Sequence, residues 1–274
     1  MKIGFIGGGN MAQALMGGIA ARHVDARFIV IEPHAQTRDR VSRLVVGVAL
    51  HDGPSVDLAA CDAVVVAVKP QNFCQAVTDA ARWLERPLIV SIAAGIRTRE
   101  IASWLGADHA SRAIVRAMPN TPALIGAGMT ALYAMPGVNA QSKDLATQLL
   151  DTVGQTLWVD DEAKLDAVTA VSGSGPAYVF AFIEALEQGG VELGLSADEA
   201  RRLAVATFVG ASRLAAASEE PISVLRERVT SKGGTTHAAL THLQTAGVHE
   251  AIVRAIHAAA QRSAELGDEY GANG

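Results

Sequence analysis

This chain has little with which to build a metal centre, a disulfide scaffold or an aromatic-rich core. Of its 274 residues two are cysteine, Cys61 and Cys74, and neither has a histidine or cysteine at metal-ligand spacing. Two thiols are too few for a disulfide framework and fit a reduced, cytoplasmic setting, and no metal site is expected. Aromatic residues make up 4% of the chain and hydrophobic residues 50%, so the core has to be assembled from Ala, Val, Leu and Ile. Lysine is scarce, confined to Lys2, Lys69, Lys143, Lys164 and Lys232. The net charge is −5, and Arg38, Arg40 and Arg43 form the densest basic group, which argues against nucleic acid or an anionic membrane as partner. No stretch reaches the roughly 20 uninterrupted apolar residues of a membrane span. The opening MKIGFIGGGNMAQALMGGIAA begins like a secretion signal, but Gly7, Gly8, Gly9, Asn10 and Gln13 interrupt its apolar run, so it reads as the start of a fold. A chain this long can bury two separate cores.

What is present changes character near residue 160. Before it, short apolar runs alternate with helical ones. Strands are expected at Lys2–Ile6, Arg27–Ile31, Val45–Leu50, Ala63–Val68, Pro87–Ile92, Arg112–Ala117, Met129–Tyr133 and Gln155–Val159. Helices are expected at Asn10–Arg22, Thr37–Val45, Asn72–Leu84, Thr98–Trp104 and Asn139–Thr152. Runs such as AVVVAV and PLIVSI lack polar alternation, as strands covered on both faces do. The pattern predicts a doubly wound α/β domain over residues 1–160. From residue 161 to 274 the strand signal is gone and the chain reads as all-helical. A helix starts at AYVFAFIEALEQGGVELG, with Gly189, Gly190 and Gly194 marking its end. Ser196, with Glu199 three residues on, forms a capping box for the next. A short helix is expected from Pro221, and further ones at Thr235–Thr245 and His249–Leu266. These helices are apolar nearly all round, and about 110 residues cannot bury them internally, which implies a partner subunit.

Two segments carry chemistry. KIGFIGGGNMAQAL contains Gly7-x-Gly9-x-x-Ala12 between a strand and a helix. Gly7 permits the tight turn, Gly9 lets a pyrophosphate approach the backbone, and Ala12 allows close helix–strand packing. Glu32 ends the next strand, where a carboxylate usually accepts hydrogen bonds from the adenosine ribose. His34 and Arg38 follow it and favour a phosphorylated ribose, so preference between NADPH and NADH stays open. Lys69, in AVKPQ, falls beyond a strand's carboxyl end, on the cofactor side of such a sheet. The second segment is VTSKGGTTHAAL, Val229 to Leu240. Two glycines, flanking hydroxyls and a helix start are the parts of an anion cradle. The order is not that of a P-loop, since Lys232 precedes Gly233 and Gly234.

Taken together, GFIGGGNMA, AVKPQ, SIAAGI, RAMPNTPALIGAGMTAL, VSGSGPAYVF, IEAL and VTSKGGTTHAAL resemble, in that order, the blocks of the pyrroline-5-carboxylate reductase family. The resemblance spans nearly the whole chain. Its most specific parts are Met118–Pro122, Ser172–Tyr178 and the cradle. It implies reduction of the cyclic imine 1-pyrroline-5-carboxylate to L-proline with NADPH, or NADH, in the last step of proline biosynthesis. It also implies a Rossmann-type domain followed by an all-helical dimerisation domain, forming homodimers and rings of dimers. The implied cofactor site comprises Gly7, Gly8, Gly9, Asn10, Met11, Glu32, His34, Val68, Lys69, Ala94 and Asn120. The implied substrate site comprises Ser231, Gly234, Thr235 and Thr236, with Ser174 and Pro176 nearby and Glu219 as the acidic member, Glu220 being its alternative. On this reading the cradle's anion is the substrate carboxylate, and Thr236 reaches the ring nitrogen as the residue closest to a catalytic one. Many members have proline where this chain has Lys232. Two other readings stay open. A β-hydroxyacid dehydrogenase shares the layout, but its helix lysine has no counterpart in Ala177–Gln188. A dinucleotide-binding regulator without chemistry would need no cradle.

Overall fold

The computed structural model describes residues 1–106 and 112–272. The first part of the chain alternates β1 (Lys2–Ile6), α1 (Asn10–Arg22), β2 (Arg27–Ile31), α2 (Ala35–Leu44), β3 (Ala49–His51) and β4 (Ala63–Val66). It continues through α3 (Phe73–Ala80), β5 (Leu88–Ser91), α4 (Thr98–Trp104), β6 (Ile114–Met118), β7 (Gly128–Ala134), α5 (Ala140–Leu150) and β8 (Gly154–Trp158). Helices follow: α6 (Lys164–Val168), α7 (Gly175–Glu192), α8 (Ala197–Ala217), α9 (Ile222–Arg228), α10 (Thr235–Thr245) and α11 (Val248–Ala272).

The strands form one eight-stranded sheet in the order β3-β2-β1-β4-β5-β6-β7-β8. The first six make the doubly wound order expected of a dinucleotide-binding domain. β4 and β5 are buried at every position, as their unbroken apolar sequences require. One pairing departs from the parallel rule: β6 and β7 run antiparallel, Val115 opposite Ala134 and Met118 opposite Ala131. The connection Pro119–Ala127 is too short for a helical crossover, so the chain folds back through a 3₁₀ turn at Thr121–Ile125 that ends on Gly126 at φ 72°.

Most element ends fall within a few residues of the sequence reading, and three departures have an identifiable cause. The strand expected from Val45 begins at Ala49, because Gly47 takes φ 76° and turns the chain. α7, expected to fray from Gly189 to Gly194, stays helical through both glycines as far as Glu192. A Cβ on Gly190 would lie 3.0 Å from that of Ala200, so this glycine permits the close approach of α7 and α8, and the chain turns at Gly194, φ 99°. α11 runs past Leu266 to Ala272 despite Gly267 and Gly271. The backbone at Gly267 lies against the Arg97 guanidinium, which bonds the Ala264 carbonyl and the Asp268 carboxylate. These contacts offset the ~1 kcal/mol that each helical glycine costs.

The chain packs as two compact units. One comprises Met1–Ser174 together with the chain from Ala258 onward, and the other is Gly175–His257. The sheet unit thus takes in more of the chain than residues 1–160. Residue Glu162 bonds Thr98 and Arg116, and Ser263 on α11 bonds Asp166 at 2.7 Å. Its core is aliphatic, with Phe5 and Phe73 the largest side chains wholly removed from solvent. Among the described residues no helix is long and apolar enough to cross a membrane, and no group of three His, Cys, Asp or Glu is placed to hold a metal ion.

Candidate functional site

In the sheet unit the turn between β1 and α1 is shaped by its three glycines in different ways. Gly7 sits at φ 97°, and a Cβ there would lie 2.7 Å from the Ala67 carbonyl oxygen. Its N–H donates to the Ile31 carbonyl at 2.8 Å, which ties the turn to the end of β2. Gly9 is exposed, and a Cβ on it would meet nothing within 4 Å. Gly9 also N-caps α1, and no side chain caps that helix. The amides of Asn10 and Met11 therefore open the helix with its positive dipole end free, which suits a pyrophosphate. Ala12 is fully buried behind them, as close helix–sheet packing requires.

Glu32 belongs to the same turn. Its carboxylate accepts the Gly8 N–H at 2.9 Å, the His34 N–H at 2.9 Å and His34 Nδ1 at 2.8 Å. Burial by itself would raise its pKa, but the bonds from His34 and Gly8 outweigh that and hold it below the ordinary carboxylate range. Arg38 reaches back from α2, donating through Nη1 to the carbonyls of Glu32 at 2.7 Å and Pro33 at 2.8 Å.

Beside this turn lies a cavity of about 350 Å³ lined by Ile6, Ile31, Pro33, Val68, Asn72 and Gln75, and also by Asp52 and Pro54. Its walls are apolar and its position beyond β2 and β4 suits a flat heterocycle such as adenine. Val68 thus joins Gly7, to which it also packs closely. Sequence reading did not single out Asp52, Pro54, Asn72 or Gln75. The signal that could have found Asp52 and Pro54 is HDGPS, a turn-forming stretch at the end of a strand. Lys69 is exposed beyond β4. Ala94 is half-buried beyond β5, beside Gly95 at φ 78°, where the Tyr270 ring covers the glycine. Turn glycines, an uncapped helix start and an adjoining cavity together fit a dinucleotide.

Two of the family-like segments meet within this unit. Asn120 donates through Nδ2 to the carbonyl and hydroxyl of Ser172, both at 3.2 Å, and accepts the Met129 N–H at 2.9 Å. The Met118 methyl lies where a side chain on Gly173 would have to go. The Asn120 amide therefore stitches MPNTP to SGSGP, and its group is engaged by the protein. Thr169–Gly173 forms a π-turn, the Ser174 N–H reaching back to the Thr169 carbonyl at 2.8 Å. Widened turns of this kind are frequent at functional sites.

The helical unit carries the cradle. Gly233 takes φ 75°, and a side chain on Gly234 would collide with the Ser231 hydroxyl. Ser231 is therefore turned in toward the start of α10. The Gly234 N–H, expected as a donor to an anion, is engaged by the Ser231 carbonyl at 3.0 Å. The first intrahelical bond runs from Ala238 to Gly234, and no side chain caps the helix. Helix geometry leaves the amides of Thr235, Thr236 and His237 as the open donors. Thr236 is half-buried, and Lys232 is exposed on the loop. Of the two candidate acids, Glu220 is held by Arg228 through both oxygens, one at 2.6 Å, whereas Glu219 is exposed. Pro176 lies in the first turn of α7 in this unit.

Residues 2–95 match a family model described as NADP oxidoreductase, coenzyme F420-dependent. Residues 162–266 match that of pyrroline-5-carboxylate reductase dimerisation. A pyrroline-5-carboxylate reductase of Pseudomonas aeruginosa is 45% identical over 98% of this chain and 98% of its own. Among solved structures, a pyrroline-5-carboxylate reductase of Coxiella burnetii is 36% identical with a TM-score of 0.88, covering 96% of this chain and 97% of that one. The Plasmodium falciparum pyrroline carboxylate reductase, solved with NADP bound, is 28% identical with a TM-score of 0.84, over 97% and 99%. An identity of this level along the whole chain, on the same fold, means that this chain belongs to the pyrroline-5-carboxylate reductase family.

Proposed function

We propose that this protein reduces 1-pyrroline-5-carboxylate to L-proline with NADPH, closing proline biosynthesis. Family membership supports the activity. The observation that carries the site assignment is the start of α10, an uncapped helix N-terminus preceded by Gly233 and Gly234 and overhung by the Ser231 hydroxyl. A carboxylate is the anion this feature suits, because three open amides and the helix dipole favour negative charge there. Ser231 and the amides of Thr235 and Thr236 bind the carboxylate, and the Thr236 hydroxyl orients the ring nitrogen. Ser174 and Pro176 border the ring, and Glu219 supplies the acidic group.

When bound, the reduced nicotinamide supplies the hydride. The chain's own contribution is orientation: a protonated imine is already electrophilic, so the protein needs to hold it in near-attack geometry rather than supply a strong acid. The turn Gly7–Met11, Glu32, His34, Val68, Lys69, Ala94 and Asn120 serve the dinucleotide, the buried ones by shaping its loops. Residues 161–274 act as the dimerisation and substrate-binding domain. The working form is a cytoplasmic homodimer, assembled further into a ring of dimers. Mixing the protein with NADPH and pyrroline-5-carboxylate and following nicotinamide absorbance tests the reading. Turnover with proline as product is expected; no absorbance loss with either NADPH or NADH would overturn it.

A further inference from the structure

The loop after β2 and the start of α2 together present one anion, Glu32, and one cation, Arg38, that would ask opposite things of an adenosine ribose. A carboxylate there accepts from a free 2′-hydroxyl, whereas a guanidinium there binds a 2′-phosphate. Sequence cannot say which is available. In the fold Glu32 is 7% exposed and its carboxylate already receives three donors. Because a carboxylate is acceptor-only, His34 Nδ1 must carry its proton toward Glu32. Of about four acceptor positions on a carboxylate, one is left, and it is nearly closed off. A ribose with two hydroxyls to place finds little there.

Arg38 is in the reverse situation. Its Nη1 is fixed by the Glu32 and Pro33 carbonyls, which set the guanidinium across the end of β2. Among the described residues its Nε and Nη2 have no protein acceptor. No acidic residue lies in the first turn of α2, and Arg40 follows on the same helix, bonded to the Thr37 hydroxyl at 3.2 Å. Asp39, between the two arginines, is exposed. Pre-anchored guanidinium donors are suited to phosphate oxygens.

We propose that Arg38 reads the 2′-phosphate of the dinucleotide, while Glu32 is a structural member of the turn that holds Gly8 and does not select the cofactor. The assignment rests on the reductase reading and deepens it: NADPH is preferred because one anchored cation is open and the acid is engaged.

Titrating the full-length protein with NADPH and with NADH, in the absence of imine, tests this through nucleotide fluorescence. Wild type should bind NADPH more tightly. Arg38→Ala should raise the NADPH Kd roughly ten- to a hundred-fold, as loss of a charge-assisted bond does, and leave NADH nearly unchanged. Arg38→Lys should recover part of the loss, keeping charge without the fork. Glu32→Gln should weaken both dinucleotides alike. Equal weakening of both by Arg38→Ala would make that residue a loop brace and overturn the assignment. So would a Glu32→Gln variant impaired for NADH alone. Since no imine is present, a chain that shows this binding pattern yet turns nothing over would sink the reduction and still support Arg38.

Discussion

The two units of this protein use the same aliphatic alphabet and reach opposite ends with it. In the sheet unit Ile3, Phe5, Val64, Val65, Ile89, Val90 and Val115 are all within 1% of complete burial. In the helical unit α7 buries none of its residues and α8 only Ala200 and Ala204. Val179, Phe180, Leu186, Leu203 and Leu214 are each exposed by 41% or more. A parallel sheet has two faces and the chain supplies helices for both, so its burial is completed within one chain. A bundle of helices apolar on all sides has no such closure, and a large exposed apolar surface marks an interface. The contrast says why the family match over the second unit is to a dimerisation model.

The sharpest way to break that contrast is to put a charge on the helical surface. Phe180→Asp, at a residue 59% exposed in the single chain, should be harmless if that surface is solvated. We expect instead loss of the dimer with loss of helical structure, because each large apolar side chain buried at an interface contributes about 1.5–3 kcal/mol and a buried carboxylate costs more. Sedimentation and far-ultraviolet circular dichroism together would read it. A variant that stays dimeric and fully helical would mean that Phe180 faces water.

The sheet unit should answer to a different kind of change. Arg116 is 3% exposed and meets Glu162 at 3.3 Å, while Glu162 also accepts the Thr98 amide and hydroxyl at 2.7 and 2.8 Å. Glu162→Ala leaves a buried guanidinium without its anion, and thermal unfolding should show a loss of about 3–5 kcal/mol. Dimerisation should persist. A change under 1 kcal/mol would mean that water reaches Arg116.

Two further substitutions separate site from scaffold within each unit. Thr236→Val keeps the β-branched shape and removes the hydroxyl. A bond to a charged ring nitrogen is worth about 1.5–3 kcal/mol, so kcat/KM should fall roughly ten- to a hundred-fold with the melting temperature unchanged. If Thr236 merely starts the helix, stability falls and kcat/KM stays near normal. Gly9→Val should have the smallest effect on the fold, since its Cβ meets open space. Dinucleotide affinity should nevertheless drop about tenfold or more, a cost of ~1.4 kcal/mol, because the side chain fills the pyrophosphate's place. Unchanged affinity by titration would remove Gly9 from the site.

Local rules were enough for the order of elements, because they depend on neighbours in the chain. Seven β-rich runs lie where β1, β2 and β4–β8 form, and α1 and α4 match their expected ends. Gly7 and Gly233 announced tight turns, and Ser196 with Glu199 a capping box that forms. The uncapped helix start at GGTT was legible for the same reason: a helix start has open amides wherever it occurs. Whatever depended on distant partners was hidden. The antiparallel return of β7 follows from a connection too short to cross over, and the extension of α11 from Arg97, far away in the chain. Glu32 and Arg38 are six residues apart, one in the loop after β2 and one near the start of α2, in a sequence that permits either cofactor. Only the folded turn, by bringing Gly8 and His34 onto the carboxylate and two carbonyls onto the guanidinium, determined which charge was engaged and which was left open.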